Sequence, residues 1–445
     1  MPYLKKIFPY VAVVLFCVLA LEAGLRVFPS LIPLQFLVWF NSSLRGDVAE
    51  RLGYPVARSM RAVQRDDRGP PLSIPNPGFV HRFPPLDIGE VDQITLDDLG
   101  FCNPPQKVKN RSNLSFDVVA LGDSFSYCTY VEPQNIWPTV LDDVSDYSTY
   151  VLSRTGISVF EYIQLLKAFG LALKPKVVIL AYYAGNDLRG VYDYMVYANN
   201  QRKGTDGDAD PKSGLKGVYN YVSNSIAGRN SYALNVGLSG IRYARALAIQ
   251  RLATSDIAES QARPINPQID FFYDLVFEDR TIPFNPQNSD TDEVFIARLL
   301  RDGQIKLASI DPAIRELEKL SKKYGFQPII VFVPSAHITY KSHVSFSDPT
   351  LRDLLNWFND EQRDYLSHLA SGLSIPFLDL TDGLRNASEN VYPELLYFPV
   401  NLHFSSAGHR EVARIVKSWM SAQSVLRLRD QPNESVTFQR ESLAR

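Results

Sequence analysis

From residue 116 onward the chain alternates short, unbroken apolar runs with stretches of helical spacing, and no other feature restricts the fold as much. FDVVALG (116–122), YVL (150–152), KVVILAYY (176–183), FQPIIVFVP (326–334) and IPFLDL (375–380) lack the polar alternation of a half-exposed strand. Such runs suit strands covered on both faces of a parallel sheet. Between and after them, SVFEYIQLLKAFGLAL (158–173), residues 297–325, residues 351–371 and SSAGHREVARIVKSWM (405–420) carry apolar residues at helical intervals. The last has a serine N-cap and an apolar face of Val412, Ile415, Val416 and Trp419. Strands alternating with helices predict a three-layer α/β/α domain on a parallel five-stranded sheet.

The remaining segments read differently. Residues 41–115 are polar, proline-rich and irregular, and 29–95 are expected to form a stalk and a lead-in that packs on a main domain at 96–424. Residues 191–296 interrupt the alternation with a polar loop, a mostly helical stretch to Leu252 and a loop-rich part containing Pro264, Pro267, Pro283 and Pro286. They are expected to form an insertion over one end of the sheet, as a lid or as surface elaboration. Residues 425–445 read as a disordered tail. The 445 residues carry a net charge of -2, so no basic surface points to nucleic acid. Three cysteines without metal-ligand spacing, and no dinucleotide or P-loop motif, imply neither a metal nor an organic cofactor. Nothing in the sequence specifies an oligomeric state.

The first residues point to a membrane. Ile7 to Leu21 carries no charge, and residues 7–28 are long enough for a transmembrane helix. Lys5 and Lys6 precede it, which places residues 1–6 in the cytoplasm and the rest of the chain outside it. A cleaved signal peptide is the competing reading, but Leu21-Glu22-Ala23 is not an A-x-A site. Glu22 and Arg26 stand one helical turn apart and are expected to pair. Residues 30–40 are apolar but too short to cross, and suit the interface with Trp39 and Phe40 as anchors.

Ligands gather at the carboxyl ends of strands in open parallel sheets, and three such ends carry unusual polar groups. Gly122-Asp123-Ser124 follows the first run, and its serine would project a hydroxyl at the sheet edge. Ala184-Gly185-Asn186-Asp187 follows KVVILAYY, with an amide able to donate to a developing oxyanion. Asn401-Leu402-His403 precedes the last helix, where an imidazole can reach a neighbouring strand end. Each alone reads as turn and cap chemistry; His409, inside the helix, is expected to be structural.

Together, Gly-Asp-Ser, Gly-Asn-Asp and the late histidine resemble the signature of the SGNH/GDSL hydrolases over residues 96–420. The N-terminal segment is also similar to that of membrane-bound bacterial members, including relatives of alginate O-acetylation proteins. The resemblance implies a flavodoxin-like fold and an acyl-serine mechanism. It implies Ser124 as nucleophile and His403 as base, with the Ser124 N–H, Asn186 and a backbone N–H at Gly156 forming an oxyanion hole. In another register the family's glycine falls on Ser158 or Val159. Where the family has an aspartate two or three residues before the histidine, this chain has Asn401 and Val400. The D-x-H spacing of membrane-bound relatives puts Asn401 in the acid's place. The site would then act as a Ser–His dyad, recruit Asp379 or Asp382, or be catalytically degenerate. By analogy the substrate is an O-acyl group on cell-surface or exported carbohydrate. An O-acyltransferase and a non-catalytic carbohydrate-binding or assembly protein are the alternatives. Outside the cytoplasm, Cys102 and Cys128, which bracket the Ser124 segment, are expected to form a disulfide.

Overall fold

In the computed structural model the described residues are 2–32, 60–83, 89–105, 115–204, 230–241, 271–278, 280–286, 291–389 and 394–423, with single positions between 36 and 52. The chain divides into two compact units, Met1–Ser59 with Asn200–Ile265, and Met60–Asn199 with Asn266–Arg445. The predicted interfacial segment at 30–40, the polar loop after residue 199 and the tail from 425 lie largely or wholly outside the described residues.

In the first unit, helix α1 (Pro2–Val27) covers the predicted membrane segment. Among the described residues no helix is long and apolar enough to cross a membrane. The spanning anchor expected from the sequence is therefore not carried by the structure: the described part of α1 includes its charged end, with Glu22 and Arg26 paired at 2.7 Å. Glu22 also accepts hydrogen bonds from Ser231 Oγ (2.8 Å), Tyr232 N (3.2 Å) and Ala233 N (2.9 Å). Leu25, Ile32, Phe40, Leu44, Val48 and Tyr232 form a small core of their own. Part of the predicted insertion thus belongs with the N-terminal segment, because a carboxylate on α1 satisfies backbone donors that begin the 232–241 helical stretch.

In the second unit the lead-in forms two short antiparallel pairs. Strands β1 (Met60–Val63) and β2 (Leu72–Pro75) pair antiparallel, as do β3 (Val80–Arg82) and β4 (Gln93–Thr95). The chain then turns about buried Asp97, which accepts from Leu99 N and Phe101 N (both 2.9 Å) and Asn103 Nδ2 (3.1 Å). The domain proper follows as β5 (Val118–Gly122), α2 (Trp137–Val144), β6 (Thr149–Ser153), α3 (Val159–Leu165), β7 (Val177–Tyr183) and α4 (Asp187–Gly204). A hairpin of β8 (Tyr273–Val276) and β9 (Thr281–Phe284) comes next, then α5 (Asp292–Arg301), α6 (Asp311–Tyr324), β10 (Gln327–Val333) and β11 (Val344–Ser345). The chain ends with α7 (Pro349–Gly372), β12 (Phe377–Asp379), α8 (Thr381–Ser388) and α9 (Ser406–Ala422).

All five predicted sheet strands form, parallel, in the order β12-β10-β7-β5-β6. Every residue of β5, β6 and β7 is buried, so helices cover both faces. Counted along the chain this is the flavodoxin-like order 2-1-3-4-5, whose switch point lies between β5 and β7. Asn103 closes the outer edge of β6: its Oδ1 accepts from Val151 N at 3.0 Å and its Nδ2 donates to Val151 O at 3.2 Å. The predicted helix at 158–173 is α only to Leu165 and then becomes a π turn and a 3-10 turn, with Gly170 against Leu152 and Val119. The helix expected over 297–325 is broken at Gly303 (φ 70°) and restarts at Asp311-Pro312, proline suiting only the first helical turn.

Candidate active site

The switch point carries two of the three polar motifs. Ser124 follows β5 and is buried, 5% exposed. Its Oγ donates to Asp123 Oδ2 at 3.3 Å, while Asp123 Oδ1 accepts from Phe125 N at 2.9 Å and fixes the turn. Gly122 is required there: a Cβ would lie 2.3 Å from Ser126 Oγ, which also receives the Trp137 indole N–H at 3.2 Å. Across the crevice, Asn186 at the end of β7 hydrogen-bonds the same Asp123 carboxylate through its side chain. The Asn186 Oδ1 has no hydrogen-bond partner among the described residues. Gln362 of α7 holds this strand end, accepting from Tyr182 OH at 2.6 Å and donating to Ala184 O at 2.9 Å.

Beneath these groups lie two wholly buried carboxyls. Burial pushes Asp123 up to about 6, against the Phe125 N–H, the Asn186 amide and the Ser124 hydroxyl, which favour its charged form. Asp187 is held well above the usual carboxylate range, first by burial and then by the charge of Asp123. It accepts from Tyr162 OH at 2.6 Å and Tyr183 N at 2.9 Å.

The third motif arrives from the far end of the chain. Residues 397–404 form a tight hairpin with a Tyr397–Phe404 bridge and Leu402 at φ 61°. The His403 imidazole stacks on Phe125, the neighbour of Ser124, with ring centroids 5.0 Å apart, and Phe125 stacks on Tyr183 at 3.6 Å. An aromatic column thus carries the imidazole to the Ser124 turn. Asn401 Oδ1 accepts the His403 backbone N–H at 3.1 Å, and its Nδ2 has no partner among the described residues. Asn401 therefore shapes the turn through the backbone and makes no ring-orienting hydrogen bond. Neither alternative acid is recruited. Asp379 accepts from Thr381 N at 2.8 Å at the end of β12, and Asp382 is 91% exposed beside Arg385.

Gly156 stands apart from this set, exposed, at φ 69°, with open space where a Cβ would be. Ser158, two residues on, is buried and pressed against α4, where a Cβ on Gly190 would come 2.5 Å from the Ser158 Cβ. His409 is structural, as expected: its Nδ1 accepts from Trp137 N at 3.2 Å, and burial lowers it to about 3. Cys102 and Cys128 are joined in a disulfide, Cα atoms 5.9 Å apart, linking the Asp97 turn to the nucleophile loop. Sequence reasoning missed Asp123 and Asp187 as a buried pair; the signal was present, since each adjoins a motif residue in an otherwise apolar setting.

No protein-family model matches the chain, and no curated protein does. Among solved structures the chain is similar to TesA, with 9% identity over 69% of this chain and 99% of that one, at a TM-score of 0.34. It is also similar to a protein from Desulfitobacterium hafniense provisionally described as lipolytic and of the G-D-S-L family (14% identity, 68% and 97% coverage, TM-score 0.33). A variant of Axe2, an acetylxylan esterase from Geobacillus stearothermophilus, matches with 12% identity, 67% and 91% coverage and a TM-score of 0.31. At such TM-scores neither activity nor substrate follows from the likeness.

Proposed function

We propose that the chain is a serine ester hydrolase of the SGNH type, acting outside the cytoplasm on O-acyl groups of carbohydrate. The observation that carries the proposal is the meeting of the Ser124 hydroxyl and the Asn186 amide on one buried carboxylate, with the His403 ring stacked on Phe125, the residue after Ser124. In the reaction Ser124 Oγ leaves Asp123 and attacks the ester carbonyl carbon while His403 takes its proton. The Asn186 amide and the Ser124 N–H stabilise the oxyanion. The imidazolium protonates the departing alcohol, and water then cleaves the acyl-serine by the same route. A backbone donor from the Gly156–Val159 segment completes the hole in this reading.

A cleft of about 540 Å³ flanks the His403 hairpin, with Glu90, Asn135, Tyr397, Phe398 and Arg410 in its wall. Its wall includes none of Ser124, Asn186 and His403, so it lies next to the site and not in it. The extracytoplasmic location is supported by the disulfide, which persists in oxidising compartments, and by Lys5 and Lys6 ahead of the uncharged run.

The test uses the full chain in detergent with an aryl acetate and a fluorophosphonate probe. Labelling of Ser124 and acetate release are expected, both lost in Ser124→Ala, with release falling at least about 100-fold in His403→Ala. An unlabelled, inactive wild-type protein would favour the binding-protein reading that Asn401 suggests. Acetyl transfer to an added oligosaccharide at the expense of free acetate would make it an O-acyltransferase.

A further inference from the structure

We propose that Arg154 is a specificity residue that receives a carboxylate on the substrate, close to the scissile ester; this rests on the esterase reading of Ser124. Arg154 leaves the end of β6 beside the nucleophile. The preceding residue, Ser153, pairs with Gly122, two positions before Ser124, and its Oγ donates to Ser126 O at 3.0 Å. The strand order places β5 between β7 and β6, so Asn186 and Arg154 arise on opposite flanks of Ser124.

The guanidinium is half-buried and makes no hydrogen bond or ion pair with any described residue. Other half-buried arginines of this unit are engaged: Arg65 with Asp67 and Glu161, Arg385 with Ile338 O, Arg189 with Asp193 and Asp292. Of the two groups whose charge Arg154 senses, the Tyr127 hydroxyl lies 3.1 Å from His81 Nδ1 and Glu161 is already saturated. Its Oε1 accepts from Arg65 at 2.9 Å, and its Oε2 accepts from Ser158 N at 3.2 Å and Ser158 Oγ at 3.0 Å. Asp123 is likewise committed to Phe125, Asn186 and Ser124. Burial lowers the Arg154 pKa, as expected for a partly desolvated cation without a direct counter-ion. A planar fork of donors in that state, rooted one residue past the strand position that pairs with Gly122, matches a carboxylate in two-point contact. The substrate class is then an O-acylated acidic sugar rather than a neutral one.

Binding separates this proposal from the catalytic one. In a Ser124→Ala background, an O-acetylated oligouronate is titrated calorimetrically alongside the same oligomer with its carboxyls reduced to alcohols. A preference of about tenfold or more for the charged oligomer is expected. It should weaken as salt rises, fall to near unity with Arg154→Gln and survive in part with Arg154→Lys. Equal affinity for the two oligomers, or a preference that persists in Arg154→Gln, would overturn the proposal. Failure of the esterase reading would show instead as an intact Ser124 protein that releases no acetate from an aryl ester.

Discussion

Asp123 is the residue on which the site converges, and its ionisation has a definite sign. The native carboxyl titrates near 6 rather than its ordinary 3.8. Between those values the folded protein holds a proton that the unfolded chain has released, so stability falls as pH rises through this window, by about 3 kcal/mol. Asp187, raised for the same reason and by the charge of Asp123, adds a contribution of the same sign. Asp123→Asn should flatten the profile: urea midpoints of the wild type should drop more between pH 4.5 and 7 than those of the variant. At neutral pH the charged Asp123 accepts from both Ser124 and Asn186, so the amide is pre-oriented beside the hydroxyl. Removing it in Asn186→Ala should slow turnover about 100-fold or more, with the unfolding midpoint little changed, since one oxyanion donor contributes about 2.7–4 kcal/mol in the transition state. Asn401→Asp keeps the oxygen that accepts the His403 N–H and replaces the partnerless amide nitrogen with a second oxygen. Negative charge two residues from the imidazole should stabilise its protonated form and raise kcat/KM for an aryl ester several-fold. An unchanged or lower value would show that this position has no access to the ring's electrostatics.

At the scale of elements, the site depends on turns held from outside the sheet. The disulfide closes a separation of 26 residues across β5 and the nucleophile loop. Replacing Cys102 and Cys128 by serine should lower stability by roughly 2–4 kcal/mol, read from the denaturant midpoint under non-reducing conditions. The sheet strands were legible in the sequence because unbroken runs such as KVVILAYY are needed where helices cover both faces. Ser124, Asn186 and His403 were legible because each breaks such a pattern at a strand end or just before a capped helix. The aromatic column of His403, Phe125 and Tyr183 was not, since Phe125 and Tyr183 read as ordinary core residues until the hairpin at 397–404 brings the imidazole onto them. Arg154 was hidden for a related reason: a single cation after a short strand carries no signal until its neighbours are seen to be already paired.

The chain as a whole comprises two compact units, and the candidate site lies wholly within the one formed by 60–199 and 266–445. The other presents a helix whose described middle is unusually apolar on its outside: Val13, Phe16, Val18, Leu19 and Leu21 are 61%, 72%, 49%, 59% and 51% exposed. Large apolar side chains exposed together call for an apolar partner, and the membrane association expected from the uncharged run Ile7 to Leu21 is open to test, although no described helix is long and apolar enough to span. The end of the same helix is used differently, Glu22 binding the backbone at 231–233 and Leu25 packing in the small core with Tyr232. These two parts of α1 can be separated. Full-length protein should sediment with membranes, resist extraction by high salt or alkaline carbonate, and be released by detergent. Deleting residues 2–21 removes the apolar run but leaves Glu22 and Leu25 in place. That variant should move to the aqueous fraction, keep residues 230–241 as resistant to limited proteolysis as in the full chain, and hydrolyse an aryl ester at the full-length rate. Full-length protein found in the aqueous fraction would remove the membrane from this account while leaving the site untouched.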